Sequence, residues 1–126
     1  MKRALIIDDS GTVRSIIAKM LRSMGIESIQ AKDGQEAYST LTENPDVLVA
    51  FVDWNMPIMN GLQFVHLVRE QSGFQSLKLV MVTTETEIEQ VTKALDAGAD
   101  EYIMKPFTQE IFRDKLELIG IFEPEA

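Results

Sequence analysis

Five residues at widely separated positions, Asp8, Asp9, Asp53, Thr83 and Lys105, stand at the ends of short apolar runs. Together they offer three carboxylates, one hydroxyl and one ammonium. Carboxylates crowded into one cleft repel each other, and burying them unpaired costs on the order of several kcal/mol per ion. Lys105 supplies one positive charge, and a divalent cation would supply the two still missing. Oxygen-only ligands, with room for water and a phosphoryl oxygen, select Mg²⁺. A carboxylate neutralised in this way can attack phosphorus and form an aspartyl phosphate, as an intermediate or as a stored state. The cation and Lys105 would stabilise charge on the transferring group, and the Thr83 hydroxyl can hydrogen-bond to a phosphoryl oxygen once it is attached. Asp53 is the favoured acceptor, because it stands alone after the central run.

The elements that must bring these residues together are legible as an alternation. Short apolar runs at Ala4 to Ile7, Ser28 to Ala31, Val47 to Val52, Leu77 to Val82 and Tyr102 to Met104 are separated by segments with helical spacing. That alternation predicts βαβ units and a parallel sheet. The first helix carries Val13, Ile16, Ile17, Met20, Leu21 and Met24 and ends at Gly25. The second starts at Asp33, with Glu36 completing a capping-box-like pair, and is closed off by Pro45. The third runs from about Gly61 to Glu70 with Leu62, Val65 and Val68 inward. The fourth carries Ile88, Val91 and Leu95 and stops at Gly98, and the fifth carries Ile111, Phe112, Leu116 and Ile119. Residues that follow parallel strands share the carboxyl edge of the sheet, where open α/β folds bind ligands at a topological switch point.

The chain has 126 residues and a formal net charge of −8, with 45% hydrophobic residues. This predicts one globular domain over 1–126, able to bury about two thirds of its unfolded surface. The absence of Cys, with His66 the sole histidine, argues against zinc and iron–sulfur sites. The acidic balance argues against nucleic-acid binding, which needs clustered Lys and Arg. No run is long enough for a signal peptide or a membrane span, so a soluble, intracellular protein is expected, in the cytoplasm. A monomer is also expected.

Six motifs lie in order along the chain: Ile7-Asp8-Asp9-Ser10, Asp53-Trp54-Asn55-Met56-Pro57, Met59-Asn60-Gly61, Val82-Thr83-Thr84-Glu85, Ala97-Gly98-Ala99 and Lys105-Pro106-Phe107. The sequence resembles a response-regulator receiver domain over essentially its whole length, most of all the single-domain chemotaxis type. The resemblance implies a doubly wound, flavodoxin-like α/β fold with five parallel strands in the order 2-1-3-4-5 and five helices. It implies that Asp53 accepts a phosphoryl group from a histidine kinase. Mg²⁺ would then be held directly by Asp9, Asp53 and the Asn55 backbone carbonyl, with Asp8 acting mostly through water. It further implies that Lys105 pairs with Asp53 and later with the phosphoryl group, and that Lys105-Pro106 is a cis peptide. Tyr102 matches the family's switch aromatic, filling space vacated by Thr83 and biasing a two-state equilibrium toward an active surface of helix four, strand five and helix five. Asn55 and Glu85 match positions that tune dephosphorylation. Thr84 stands where many members carry the smaller Ala.

Several residues also have plainer readings. Asp8 or Asp9 alone suits a helix cap or turn, and Thr83 and Thr84 suit the N-cap of the fourth helix, one capping and the other sensing. Tyr102 alone suits a core position. His66 reads as a solvated surface residue, and the methionines as core gap-fillers. Trp54 should lie partly exposed over the crevice. The function expected is a phosphorylation-controlled binding module, promoting its own phosphorylation and dephosphorylation, with no output domain after Ala126. Its partners would be a histidine kinase, a downstream target such as a flagellar motor switch protein, and a phosphatase. The alternatives are a phosphate sink and a Mg²⁺-dependent phosphohydrolase acting on small phosphate esters. The latter is disfavoured because Asn55 stands where such enzymes place a general acid.

Overall fold

In a computed structural model, residues 2–84 and 89–123 are described. The strands are β1 (Arg3–Ile7), β2 (Glu27–Ala31), β3 (Val49–Asp53), β4 (Lys78–Thr83) and β5 (Glu101–Met104). Among the described residues the α-helices are α1 (Gly11–Ser23), α2 (Gly34–Glu43), α3 (Gly61–Arg69), α4 (Val91–Ala97) and α5 (Gln109–Leu118), with a 3₁₀ turn at Ser72–Phe74. All strand pairs are parallel and the order is β2-β1-β3-β4-β5, the expected doubly wound sheet. From β1 the chain moves outward to β2, then returns to the other side of β1 for β3. The switch point therefore lies between the carboxyl ends of β1 and β3. None of the helices in the described residues is long and apolar enough to cross a membrane.

Alternation along the strands divides the core into two layers. Leu5, Ile7, Ala50, Val52, Leu79 and Met81 face α2, α3 and α4. Ala4, Ile6, Val49, Phe51, Val80, Val82 and Ile103 face α1 and α5. Phe51 stacks on Phe112 with ring centroids 5.1 Å apart, and Phe107 stacks on the same ring at 5.8 Å.

The strands differ from expectation by a residue or two at their ends. The third begins at Val49 and includes Asp53, whereas Val47 and the exposed Leu48 precede it. The fourth likewise includes Thr83. Helix α1 ends with Met24 as its C-cap, and Gly25 takes φ 78° in the left-handed region. Asp33 caps α2 by accepting from the Glu36 backbone N–H at 2.8 Å. The Glu36 carboxylate does not close a capping box on Asp33; it accepts from the Lys32 backbone N–H at 3.3 Å. A full capping box occurs instead at α3, where Asn60 and Gln63 each accept from the other's backbone N–H at 2.9 Å.

Three residues expected in the core are not there. Ile16, Leu95 and Ile111 are 47%, 40% and 44% exposed. Ile16 and Ile111 each lie one residue, about 100° of helix rotation, from a fully buried neighbour, Ile17 and Phe112. On α4 the buried positions are Val91 and Ala94, while Ile88 lies outside the described residues. On α3, Phe64 is fully buried together with Val65 and Val68, whereas Leu62 is only partly buried.

Arg69, at the end of α3, gathers the far side of the sheet. Its guanidinium donates to the backbone carbonyls of Phe74 (2.8 Å), Leu77 (2.7 Å) and Gly98 (2.9 Å) and to Asp100 Oδ2 (2.9 Å). Gly98 ends α4 with φ 123°, and a Cβ there would lie 2.7 Å from Arg69 Cγ. Only glycine satisfies both the backbone angle and the packed arginine stem.

Candidate functional site

The strand register places the acidic residues side by side. Ile7 pairs with Val52, so Asp8 and Asp53 follow at the same level on neighbouring strands. Val82 pairs with Asp53 and Thr83 with Met104, which carries Thr83 and then Lys105 to the same edge. Carboxylate oxygens of Asp8, Asp9 and Asp53 lie within 4.8 Å of one another. Lys105 Nζ stands 3.2 Å from Asp8 Oδ2 and 3.4 Å from Asp53 Oδ1. Asp8 and Asp53 are buried, Asp9 is exposed, and Lys105 is partly covered.

Local backbone holds each group in place. The Ser10 backbone N–H donates to Asp8 Oδ1 at 2.9 Å, and Ser10 itself caps α1 by accepting from Val13. Lys105 N donates to the Thr83 carbonyl at 2.6 Å, and the following Lys105-Pro106 bond is cis, as the resemblance implied. After Asp53, the Gly61 N–H returns to the Trp54 carbonyl at 2.9 Å. A Cβ on Gly61 would lie 2.8 Å from Met81 Cε and 2.9 Å from the Asp53 carbonyl, so the turn closes this tightly only around glycine.

Electrostatics mark the cluster as charge-deficient in cations. Three carboxylates against one ammonium leave two negative charges uncompensated. Burial, followed by repulsion from Asp8, pushes the Asp53 carboxyl up to about 6, while Lys105 and the Asn55 backbone N–H pull the other way. For Lys105, burial alone would lower the ammonium pKa, but the Asp53 and Asp8 carboxylates outweigh it and hold it above its ordinary value. The Thr83 hydroxyl is wholly buried and has no hydrogen-bond partner among the described residues. Its position inside β4, with α4 beginning at Val91 behind Gln90, does not suit a helix cap.

A family model for the response regulator receiver domain matches residues 4–117. The chain belongs to that family. This receiver domain is 44% identical over 116 residues to a chemotaxis protein CheY homolog of Campylobacter jejuni, covering 91% of this chain and 89% of that protein. It is 43% identical over 118 residues to the chemotaxis protein CheY1 of Helicobacter pylori, covering 93% and 95% of the two chains. Among solved structures, the chemotaxis protein CheY4 of Vibrio cholerae superposes with a TM-score of 0.87 at 34% identity, over 94% of this chain and 98% of that one.

The other residues singled out in the sequence do not all lie at the cluster. Asn55 is exposed beside Asp53, and Trp54 is half-buried against the α3-side core. Thr84 is half-buried, and Glu85 lies outside the described residues. His66 is exposed on α3. Tyr102, on the edge strand β5, packs partly against the same core layer as Met81 and Ala94. One residue passed over in the sequence is Arg14, whose Nη1 donates to the Asp8 carbonyl at 2.5 Å and Nε to Gln30 Oε1 at 3.1 Å. As a long cation on a helix surface, it carries no spacing signal that separates it from a solvated charge.

Proposed function

We propose that this receiver domain accepts a phosphoryl group on Asp53 from a histidine kinase and relays that state to a protein target. The observation that carries this reading is the Thr83 hydroxyl, buried and unpartnered at the edge that holds Asp53 and Lys105. A buried polar group without a partner costs about 1–3 kcal/mol, and it gains an acceptor when a phosphoryl oxygen arrives. Asp53 Oδ attacks phosphorus, the bond from phosphorus to the donor imidazole breaks, and the imidazole leaves with the bonding electron pair. Lys105, already in the cluster, pairs with the group as it transfers.

The three clustered carboxylates fit a hard divalent cation, Mg²⁺, with Asp9, Asp53 and the Asn55 backbone carbonyl holding it and Asp8 alongside. When bound, the ion supplies the charge neutralisation that three carboxylates and one ammonium lack. Asn55 and Glu85 tune loss of the phosphoryl group by positioning or excluding water. Tyr102 follows Thr83 in the switch. The output face is α4, β5 and α5, each of which carries an exposed apolar side chain: Leu95, Met104 and Ile111. Similarity to chemotaxis proteins supports a cytoplasmic role in chemotaxis with a flagellar motor component as target.

Labelled phosphoryl transfer from acetyl phosphate or a kinase tests the acceptor. Wild type should take up acid-stable, hydroxylamine-sensitive label in Mg²⁺ buffer and Asp53→Asn should not. Undiminished labelling of Asp53→Asn overturns the assignment.

A further inference from the structure

The open edge of the sheet carries a small closed cycle of interactions around Tyr102. Its ring lies under the Lys115 ammonium, 4.3 Å from Nζ to the centroid. The same ammonium is 3.1 Å from Glu101 Oε1, and that oxygen also accepts from the Tyr102 backbone N–H at 2.9 Å. Because β5 has β4 on one side only, an outward N–H finds no strand partner, and the Glu101 carboxylate takes its place. The side chains of Lys115 and Glu101 are only 23% and 20% exposed, so water and salt screen the pair less than a surface ion pair.

Geometry connects this cycle to the phosphoryl site. The register pairs Tyr102 with Met81, and Thr83 lies two residues beyond Met81, so the ring and the unpartnered hydroxyl share one face of the sheet. Lys115 belongs to α5, which packs on the opposite face, and reaches the ring around the edge of β5. A ring that moved inward toward Thr83 would have to leave the ammonium behind.

We propose that Lys115 and Glu101 form a latch that holds the Tyr102 ring at the sheet edge and thereby lowers the affinity of the Asp53 site for a phosphoryl group. The proposal rests on the phosphoacceptor reading above for its functional consequence. Lys115 is a positioning residue: it touches the ring, not the reacting atoms. Linkage requires that whatever favours the outward ring opposes any ligand that favours the inward one, by the same factor.

The test uses the full chain with Mg²⁺ and beryllofluoride, a phosphoryl mimic, followed by Trp54 fluorescence. Lys115→Met keeps the stem and removes the charge, and should tighten beryllofluoride binding about two- to fivefold, the factor expected for a cation over an aromatic ring. The gain should persist in a Tyr102→Phe background, which keeps a ring, and vanish in Tyr102→Leu. An unchanged affinity in Lys115→Met, or an equal gain in Tyr102→Leu, overturns the latch. Absence of beryllofluoride binding to wild type would instead count against the phosphoacceptor reading. In that event ¹⁹F spectra of the fluorotyrosine-labelled chain decide the latch alone. Lys115→Met must shift or broaden the Tyr102 resonance while leaving Tyr38 in place; an unmoved Tyr102 signal overturns it.

Discussion

Replacing Asp53 with Asn should make the metal-free protein more stable, although it removes a buried ionisable group from the site. Asp53 shares one ammonium with Asp8, and its carboxyl is raised from 3.8 to about 6 by burial and then by Asp8. A group whose folded pKa lies above its unfolded value binds extra protons in the folded state between the two. Folding stability therefore falls as pH rises from about 4 to about 6, and the penalty is complete above that range. At about 1.4 kcal/mol per pKa unit the shift corresponds to roughly 3 kcal/mol. The cluster opens to solvent through the exposed Asp9, which screens part of that, so about 1–2 kcal/mol is recoverable. Asn cannot ionise and escapes the penalty. Urea denaturation in EDTA should show Asp53→Asn more stable than wild type by that amount at pH 8 and equal to it near pH 4. With saturating Mg²⁺ the gap should close, because wild type binds the ion more tightly and gains more from mass action. An Asn variant less stable than wild type at pH 8 in EDTA would refute the account of the cluster as over-crowded with negative charge.

Thr83→Val removes a hydroxyl that has no partner among the described residues, so thermal or urea denaturation should show a gain of about 1–2 kcal/mol, while beryllofluoride binding weakens at least tenfold. Phe112→Ala empties the centre of the Phe51–Phe112–Phe107 stack on the α5 side and should cost about 3–5 kcal/mol in urea.

The elements and the convergence of the acidic residues could be read from the chain because both depend on local pattern. Runs apolar on both faces announce strands covered by helices, and an Asp or Lys ending each run must lie at a common edge if the strands are parallel. The strand order had no such local signal and came from motif resemblance. What local pattern could not show was how far each apolar stripe turns toward the sheet. Ile16, Leu95 and Ile111 satisfy helical spacing yet stand 40–47% exposed, because packing selects a narrower arc than periodicity allows. Leu95 and Ile111 are also on the proposed output face, where an apolar residue facing water has a use. Arg14 on the Asp8 carbonyl and Lys115 on the Tyr102 ring were invisible for another reason. Both are long cations on helix surfaces, and nothing in their spacing distinguishes them from solvated charges.

Arg69 fixes where α4 can move. Its bond to the Gly98 carbonyl, together with three further bonds to Phe74, Leu77 and Asp100, ties down the trailing end of that helix. A rigid rod held at one end can only swing. Over the roughly 10 Å from Ala97 back to Val91, a tilt of about 10° would carry the Val91 end nearly 2 Å while the anchor stays still. The pivot sits at the end of the helix that β5 follows, and the amplitude grows toward the end that follows Thr83.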